Sequence, residues 1–505
     1  MTENAPNSAE TSEFDLADFR PEARAPRGFA DKRASQIAIE RRLIANVSKV
    51  YESFGFEALQ TSAFEYADAL GKFLPDADRP NVGVFSLQDD DDQWMALRYD
   101  HTAPLARFAA QNWETLPKPF RRYAFGPVWR NEKPGPGRLR EFMQCDADTV
   151  GTDRPEADAE IIALAVAGFK ANALPSVLKI NNRKLLNGLL ASLGAETPAQ
   201  QMGIMRAIDK MDRLGLEGVA QLLGGGRKDE SGDFTKGAGL NDAAIAAVLD
   251  FVGAGRDASG GQAERGAVLE KLAAVLGGTA EGQAGLEDLS RISTALSGLG
   301  VSEAEAIFDP SIVRGLEYYT GPVFEAELLM ETRDEKGNLV RFGSVGGGGR
   351  YDDLVARFTG ERVPATGFSF GVSRLAAALA LAETGELQPV RGPIVIIAFS
   401  ESDMGDYFKL AADIRAAGLA VEVYLGRSGM KAQMKYADRR LSPAAVMLGG
   451  DELANGTVTI KDLDQGRLLA TQITDNKAWR EGRPGQVTLP RAEAINHLKS
   501  IVNPD

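Results

Sequence analysis

Residues 120–151 read FRRYAFGPVWRNEKPGPGRLREFMQCDADTVG, two β-like arms around a loop that cannot continue a ladder. The first arm, Arg122 to Trp129, mixes aromatic and β-branched residues, and the second, Leu139 to Val150, ends in an alternation of apolar and acidic positions. Between them Pro134, Gly135, Pro136 and Gly137 remove donors and loosen the backbone. Arg130, Arg138 and Arg140 mark the arms and the loop end, with Glu132 among them. A hairpin that brings several guanidiniums and a carboxylate to one open face can grip a polyphosphate. Taken alone it reads equally well as a solvated basic hairpin.

The rest of the chain narrows the chemistry. At 505 residues it exceeds a single core, so two or three domains are expected, and 44% hydrophobic with 25% charged residues is ordinary for a soluble globular protein. No apolar run approaches the roughly 20 residues that span a bilayer. The start, MTENAPNSAETSEFD, is polar and acidic, neither a secretory signal nor an arginine-rich transit peptide, so a cytoplasmic protein with no membrane partner is expected. One cysteine, Cys145, excludes an intramolecular disulfide framework, and two histidines, His101 and His497, leave no zinc cluster. Mechanisms built on Cys/His or Ser/His/Asp sets are nearly closed off. His497 reads as a surface residue and His101 lies near a motif. The net charge of −14 argues against bulk attraction to nucleic acid, yet Lys118 to Arg140 carries seven basic residues and one acid.

In chain order, residues 1–16 read as a disordered tail. Ala34 to Tyr51 repeats apolar residues at helical spacing, and Gly55 to Leu59 turns into a strand. Val84–Ser86 and Trp94–Arg98 predict short strands around a solvated acidic turn, Gln88 to Asp92. The segment Leu97-Arg98-Tyr99-Asp100-His101-Thr102-Ala103-Pro104 follows, in which Asp100 is suited to capping a helix. Asp153–Asn172 predicts a helix and Val177–Ile180 a strand. From about 185 to 300 the pattern is helical, with a small-residue content that predicts a mobile or loosely packed module. Residues 308–370 return to strand composition with a hairpin turn at Asp334–Asn338, and Ala365–Leu375 passes from strand to helix. The tetraglycine Gly346–Gly349 lacks the Lys-Ser/Thr of a phosphate loop, so it predicts close backbone approach to a ligand. Beyond Arg391, Pro393–Phe399, Asp406–Ala417, Ala420–Leu425, Met430–Leu441 and Ala444–Leu448 alternate strand and helix, which predicts a small α/β domain with a largely parallel sheet and no nucleotide fingerprint.

The hairpin resembles motif 2 of the class II aminoacyl-tRNA synthetases, in the form found in the histidyl-tRNA synthetase family. Val313-Arg314-Gly315-Leu316-Glu317-Tyr318-Tyr319-Thr320-Gly321 and Gly346-Gly347-Gly348-Gly349-Arg350-Tyr351-Asp352 resemble the two histidine-specific signatures of that family. Ala365–Leu375 resembles motif 3, and the Ala34–Leu59 segment motif 1, with Ser62 where a proline usually follows. The resemblance runs from about Gly28 to the C-terminal region. It implies an α+β architecture: a class II antiparallel-sheet catalytic domain over 17–390 with the helical insertion, then an α/β anticodon-binding domain over 391–505. It implies ATP-dependent ligation of L-histidine to histidine tRNA by a homodimer, with the insertion clamping the acceptor arm. The motif 2 loop departs from the Arg-Pro-Gln-Lys-Gly-Arg run common in bacterial relatives, which bears on how the tRNA end is read.

Residue roles carry over by motif position. Arg130 and Arg314 are expected at the α-phosphate as the catalytic pair. Glu132 and Phe142 are expected at adenine, Arg138 and Arg374 at the β- and γ-phosphates, with Mg²⁺ completing charge neutralisation. Asp100, which stands where bacterial relatives often carry Glu, Thr102 and Gln144 are expected at the α-ammonium and carboxylate end of histidine. Asp148 (again often Glu) and Tyr319 are expected at the ring, beside Tyr318 and Tyr351. The chemistry suits a chain poor in His and Cys: the histidine carboxylate is already ionised at neutral pH, so alignment and positive charge replace a strong base. A polar pocket left unpaired by the wrong side chain gives selectivity. Two rival readings are a catalytically inactive paralogue resembling the regulatory subunit of ATP phosphoribosyltransferase and a class II synthetase for proline or threonine. The first signature and the C-terminal domain, which such regulatory paralogues generally lose, oppose the former, and the double signature opposes the latter.

Overall fold

The computed structural model describes residues 20, 22–70, 83–135, 138–228, 232–276, 278–315, 318–330, 332–333, 339–340, 343–384, 390–470 and 485–503. The expected tail 1–16, Pro136–Gly137 of the motif 2 loop, Leu316–Glu317 and the expected turn Asp334–Asn338 lie outside them. The chain forms two compact units, Met1–Glu386 and Leu387–Asp505.

In the first unit α1 (Ala34–Ser53) buries Ile39, Leu43, Val47 and Tyr51 at helical spacing. It leads to β1 (Glu57–Ala58), β2 (Phe64–Tyr66), β3 (Ser86–Gln88), β4 (Trp94–Leu97) and α2 (Thr102–Asn112). The acidic run is a turn, as expected: Asp89 Oδ1 accepts from the backbone of Asp91 and Gln93. The hairpin is β5 (Phe120–Trp129) with β6 (Glu141–Val150), paired from Phe120–Val150 to Trp129–Glu141. After α3 (Pro155–Ala171) and β7 (Ser176–Asn182) come α4 (Arg183–Ser192), α5 (Pro198–Ile208), α6 (Met211–Leu223), the small hairpin β8 (Gly226–Lys228) and β9 (Phe234–Lys236), α7 (Asp242–Gly253), α8 (Arg265–Leu276) and α9 (Ala280–Gly298). The unit closes with β10 (Ala306–Phe308), β11 (Pro322–Leu328), β12 (Thr332–Arg333), β13 (Leu339–Val340), β14 (Ser344–Arg350), α10 (Ala356–Thr359), β15 (Ala365–Phe370) and α11 (Val372–Thr384).

One eight-stranded sheet, ordered β1-β5-β6-β15-β14-β11-β7-β10, organises this unit. Its interior pairings are antiparallel, and only the edge pairs β1–β5 and β10–β7 are parallel. One face is the hydrophobic core. Phe368 and Phe370 of β15 meet Phe169 of α3, the Phe169–Phe370 centroids being 4.6 Å apart. Tyr51 of α1 donates to the Cys145 carbonyl at 3.3 Å. The opposite face is polar and glycine-rich.

The expected loose packing of the insertion is not what its described residues show. Small residues there bring helices into contact: a Cβ on Gly188 of α4 would lie 2.8 Å from the Gly282 Cα of α9, and one on Gly285 would lie 2.8 Å from Leu185 Cδ2. Leu185, Leu189, Leu289 and Ile292 are buried nearby. Glycine costs chain entropy in a helix, and close backbone approach offsets it.

The second unit holds β16 (Ile394–Ile397), α12 (Met404–Ala416), β17 (Val421–Val423), α13 (Met430–Arg439), β18 (Ala444–Met447), α14 (Gly450–Asn455), β19 (Thr457–Asp462), α15 (Leu463–Ala470), β20 (Gln486–Pro490) and a final helix, Ala494–Val502. Its sheet, β17-β16-β18-β19-β20, is only half parallel, a correction to the sequence expectation: β17–β16–β18 run parallel, and β18–β19–β20 are antiparallel. The short α14, ended by Gly456 in the left-handed region, is too brief a link for a parallel crossover. His497, expected at the surface, is half-buried on the final helix.

Candidate active site

The polar face of the large sheet is built by residues that the register places side by side. Arg122 of β5 lies opposite Asp148 of β6, Ala124 opposite Asp146, Gly126 opposite Gln144 and Val128 opposite Phe142. On β15, Gly367 lies opposite Asp148 and Ser369 opposite Asp146. On β14, Gly349 and Gly347 continue the rows, and Glu325 of β11 lies opposite Gly347. Side chains of one strand face alternate by twos, so these form one floor. The tetraglycine is explained here. A Cβ on Gly347 would meet the Arg314 guanidinium at 3.1 Å, and one on Gly348, on the other face, would strike the Gly367 carbonyl at 2.0 Å. The glycines keep the floor bare and the strands close.

One end of the floor is a carboxylate–tyrosine pocket. Tyr351 donates its hydroxyl to Asp148 Oδ1, and Arg122 pairs with Asp148 Oδ2 at 2.8 Å, all three being buried. Tyr318 packs between Tyr351 (5.6 Å between centroids) and Tyr319 (5.1 Å). Burial raises the Asp148 pKa, and Arg122 and the Tyr351 hydroxyl oppose the rise. Burial likewise raises Asp100, against the amides of Ala103 and Thr102 and the charge of Arg130. Asp100 Oδ1 accepts from Ala103 N at 2.9 Å and Thr102 N at 3.1 Å, so the capping role read in the sequence is real and aims the carboxylate at the start of α2. Thr102 is half-buried on the same turn. Gln144 lies two residues from Asp146 on the floor, and its Oε1 is buried without a hydrogen bond.

Guanidiniums stand beside and beyond this pocket. Arg130 donates from Nε to the Tyr99 carbonyl at 3.2 Å and stands 5.1 Å from the Phe142 ring centre. Arg314 forms an ion pair with Glu325, which holds its guanidinium pKa high against the cost of burial. Arg374, at the start of α11, has its pKa lowered by burial and then by the like charges of Arg138 and Arg314. The three guanidiniums thus lie within electrostatic reach of one another. Glu132 and Arg138 are exposed on the loop, and the Glu132 carbonyl accepts from Arg140 Nε at 3.0 Å.

Two buried, charged floor residues beside the pocket were not singled out from the sequence. Arg122 is one; Asp146 is the other, with its Oδ1 accepting from Ser369 at 2.5 Å. The alternation Gln144, Asp146, Asp148 carried the signal, since alternate positions of a strand share a face. A third buried feature, His101 beneath Gly126, bonds the Gly126 carbonyl through Nε2 at 3.3 Å. Arg350 of the second signature serves the fold: it pairs with buried Asp158 and binds the carbonyls of Thr152 and Arg154. Among the described residues no group of three or more His, Cys, Asp or Glu side chains could hold a metal ion.

Residues 28–375 match the histidyl-tRNA synthetase family model, and residues 394–500 match that of an anticodon-binding domain. A histidine–tRNA ligase of Caulobacter vibrioides is 68% identical over 97% of this chain and 99% of its own length. One from Brucella suis is 50% identical over 97% of both chains. Among solved structures, a histidyl-tRNA synthetase from a Nostoc species superposes with a TM-score of 0.71 at 28% identity, covering 95% of this chain and 99% of that one.

Proposed function

The chain belongs to the histidyl-tRNA synthetase family and charges tRNA with histidine, and we propose that it does so through a histidyl-adenylate formed along this one sheet face. The observation that carries the proposal is a floor on which a carboxylate–tyrosine pocket lies beside the guanidiniums of Arg130 and Arg314. Phe142 and Asp148 lie six residues apart on β6, about 20 Å, room for an amino acid and a nucleotide laid end to end.

In this reading histidine enters with its ring toward Asp148, Tyr319 and Tyr351, and its α-ammonium toward Asp100, Thr102 and Gln144. Its carboxylate oxygen attacks the α-phosphorus of ATP, an oxygen–phosphorus bond forms, and the α–β bridging bond breaks to release pyrophosphate. Arg130 and Arg314 stabilise the charge that develops on the α-phosphate. Phe142 packs on adenine, Glu132 contacts it from the loop, and Arg138 and Arg374 hold the outer phosphates. Mg²⁺ carried in with ATP would add charge neutralisation at the outer phosphates beside Arg138 and Arg374. The terminal adenosine hydroxyl of tRNA then attacks the acyl carbon, and AMP leaves with the bonding pair.

A homodimer is part of the same proposal. Phe64, Tyr66 and Leu87 share one face of the small β2-β4-β3 sheet and are 39%, 55% and 42% exposed, an apolar patch suited to a second copy. No helix is long and apolar enough to cross a membrane among the described residues, and a cytoplasmic setting fits the reaction. The deciding experiment is amino-acid-dependent ATP–pyrophosphate exchange, run with each of the twenty amino acids. Exchange with histidine alone supports the pocket and the adenylate together. No exchange with any amino acid, from folded protein with Mg²⁺, overturns both.

A further inference from the structure

Asp146 is buried on the floor of the site, and the mechanism above does not use it. It occupies the even row of β6 between Gln144 and Asp148, so a substrate spanning those two residues passes over it. Its carboxylate is oriented by the Ser369 hydroxyl at 2.5 Å, from the strand position directly opposite. The other two carboxylates of the pocket already serve the protein. Asp100 Oδ1 caps α2, and the two oxygens of Asp148 meet Tyr351 and Arg122.

The charges around Asp146 come from every neighbouring element. Asp148 on its own strand, Arg122 on β5 and Asp100 before α2 act on it directly. Arg98 after β4, Tyr319 from the first signature, Tyr51 of α1 and the adjacent Cys145 complete the set. Arg122 is committed to Asp148, and the Arg98 guanidinium donates to the carbonyls of Pro127, Thr61 and Ser62. An ionised Asp146 therefore lacks a dedicated cation inside the protein. A buried carboxylate in that position is stabilised by a charge brought from outside.

We propose that Asp146 is a substrate-binding carboxylate of the amino-acid pocket, supplying the negative charge that the α-ammonium of histidine meets between Gln144 and Asp148. This rests on the proposed function and adds to it a third acid that is needed in its ionised form. Burial, and then Asp148, push the Asp146 pKa up to about 7. Histidine capture is therefore expected to weaken as pH falls through that value, beyond the effect of titrating the substrate's own ring.

The test is histidine binding by calorimetry, without ATP, to the full chain and to Asp146→Asn and Ser369→Ala, between pH 6 and 8.5, with ATP binding measured in parallel. Asp146→Asn is expected to weaken histidine binding about tenfold or more at pH 8, roughly the worth of a lost charge-assisted contact. It is also expected to flatten the acid limb to the slope of the ring titration alone and to leave ATP binding unchanged. Ser369→Ala, which keeps the carboxylate but removes its donor, is expected to move the limb to higher pH. Should Asp146→Asn fail to fold, that displacement carries the test by itself. Wild-type affinity and pH slope in Asp146→Asn, equal losses of histidine and ATP binding, or an unmoved limb in Ser369→Ala would each overturn the proposal while leaving histidine recognition intact. Absence of histidine binding by the wild-type chain overturns the functional reading and this inference with it.

Discussion

The Arg122 guanidinium and the Asp148 carboxylate meet at 2.8 Å on adjacent strands, with side-chain exposures of 1% and 4%. Removing one partner leaves an uncompensated charge in the interior. Arg122→Met is expected to cost about 3–5 kcal/mol of stability, read as a lower urea midpoint at unchanged slope. Adding Asp148→Asn to that variant should restore much of the midpoint, and no recovery would mean that the pair is not the source of the loss.

Tyr351 donates to Asp148 from the second signature. A hydrogen bond to a buried charge is worth roughly 1.5–3 kcal/mol. Tyr351→Phe should therefore raise the KM for histidine by about 10- to 100-fold in pyrophosphate exchange, with the KM for ATP steady. Parallel rises in both constants would argue for general loosening of the site.

A Cβ on Gly367 would lie 1.9 Å from Asp148 Oδ1. Gly367→Ala must displace the carboxylate that Tyr351 and Arg122 orient. The expected outcome is a loss of about 1–3 kcal/mol in stability together with weakened histidine binding. Thermal unfolding and calorimetry check the two halves separately.

Arg314 lies over the bare floor at Gly347 and is anchored by Glu325. Arg314→Gln removes positive charge where the α-phosphate is proposed to react. It should reduce the kcat of exchange by about 10²- to 10³-fold while histidine binding persists. A change confined to KM would move Arg314 out of the catalytic pair.

Two buried groups pull acid stability in opposite directions. Burial, then the charges of Arg98 and Arg122, hold the His101 pKa down at about 3 against an ordinary 6.5. The folded state thus binds fewer protons than the unfolded one, and stability falls as pH drops from 6.5 toward 3, at up to about 1.4 kcal/mol per pH unit. Asp146, raised from 3.8 to about 7, binds more protons when folded, so its contribution to stability rises as pH falls through that window. Urea midpoints at pH 7.5 and 5.5 should show His101→Asn gaining on the wild type at the acid pH and Asp146→Asn losing to it. Parallel profiles for the two variants would contradict both assignments.

The hairpin was legible because strand alternation and Pro/Gly punctuation are local signals, and the residues around Asp148 were reached through motifs. Arg122 and Asp146 were not. A lone arginine or aspartate in a strand reads as solvent-facing, and only the register of β5, β6 and β15 shows that they share a closed floor. The tight packing of the insertion was hidden for a related reason: Gly188 and Gly282 are far apart in the chain, so a composition rich in small residues looked slack. Strand direction in the second unit was equally out of reach, since propensity at β19 and β20 does not encode which way a strand runs.

β15 belongs to two compartments at once, with Gly367 and Ser369 on the polar floor proposed to carry the substrate and Phe368 and Phe370 locked against α3. Amino-acid preference cannot be retuned there by trading side chains, because the substrate side offers glycine and a hydroxyl, while the adjacent positions anchor the interior. In the proposed pocket, variants that accept a different amino acid are to be sought among the residues that lie off the strands, Tyr319, Asp100 and Thr102. A redesign library confined to those positions should yield folded members far more often than one drawn from the strands.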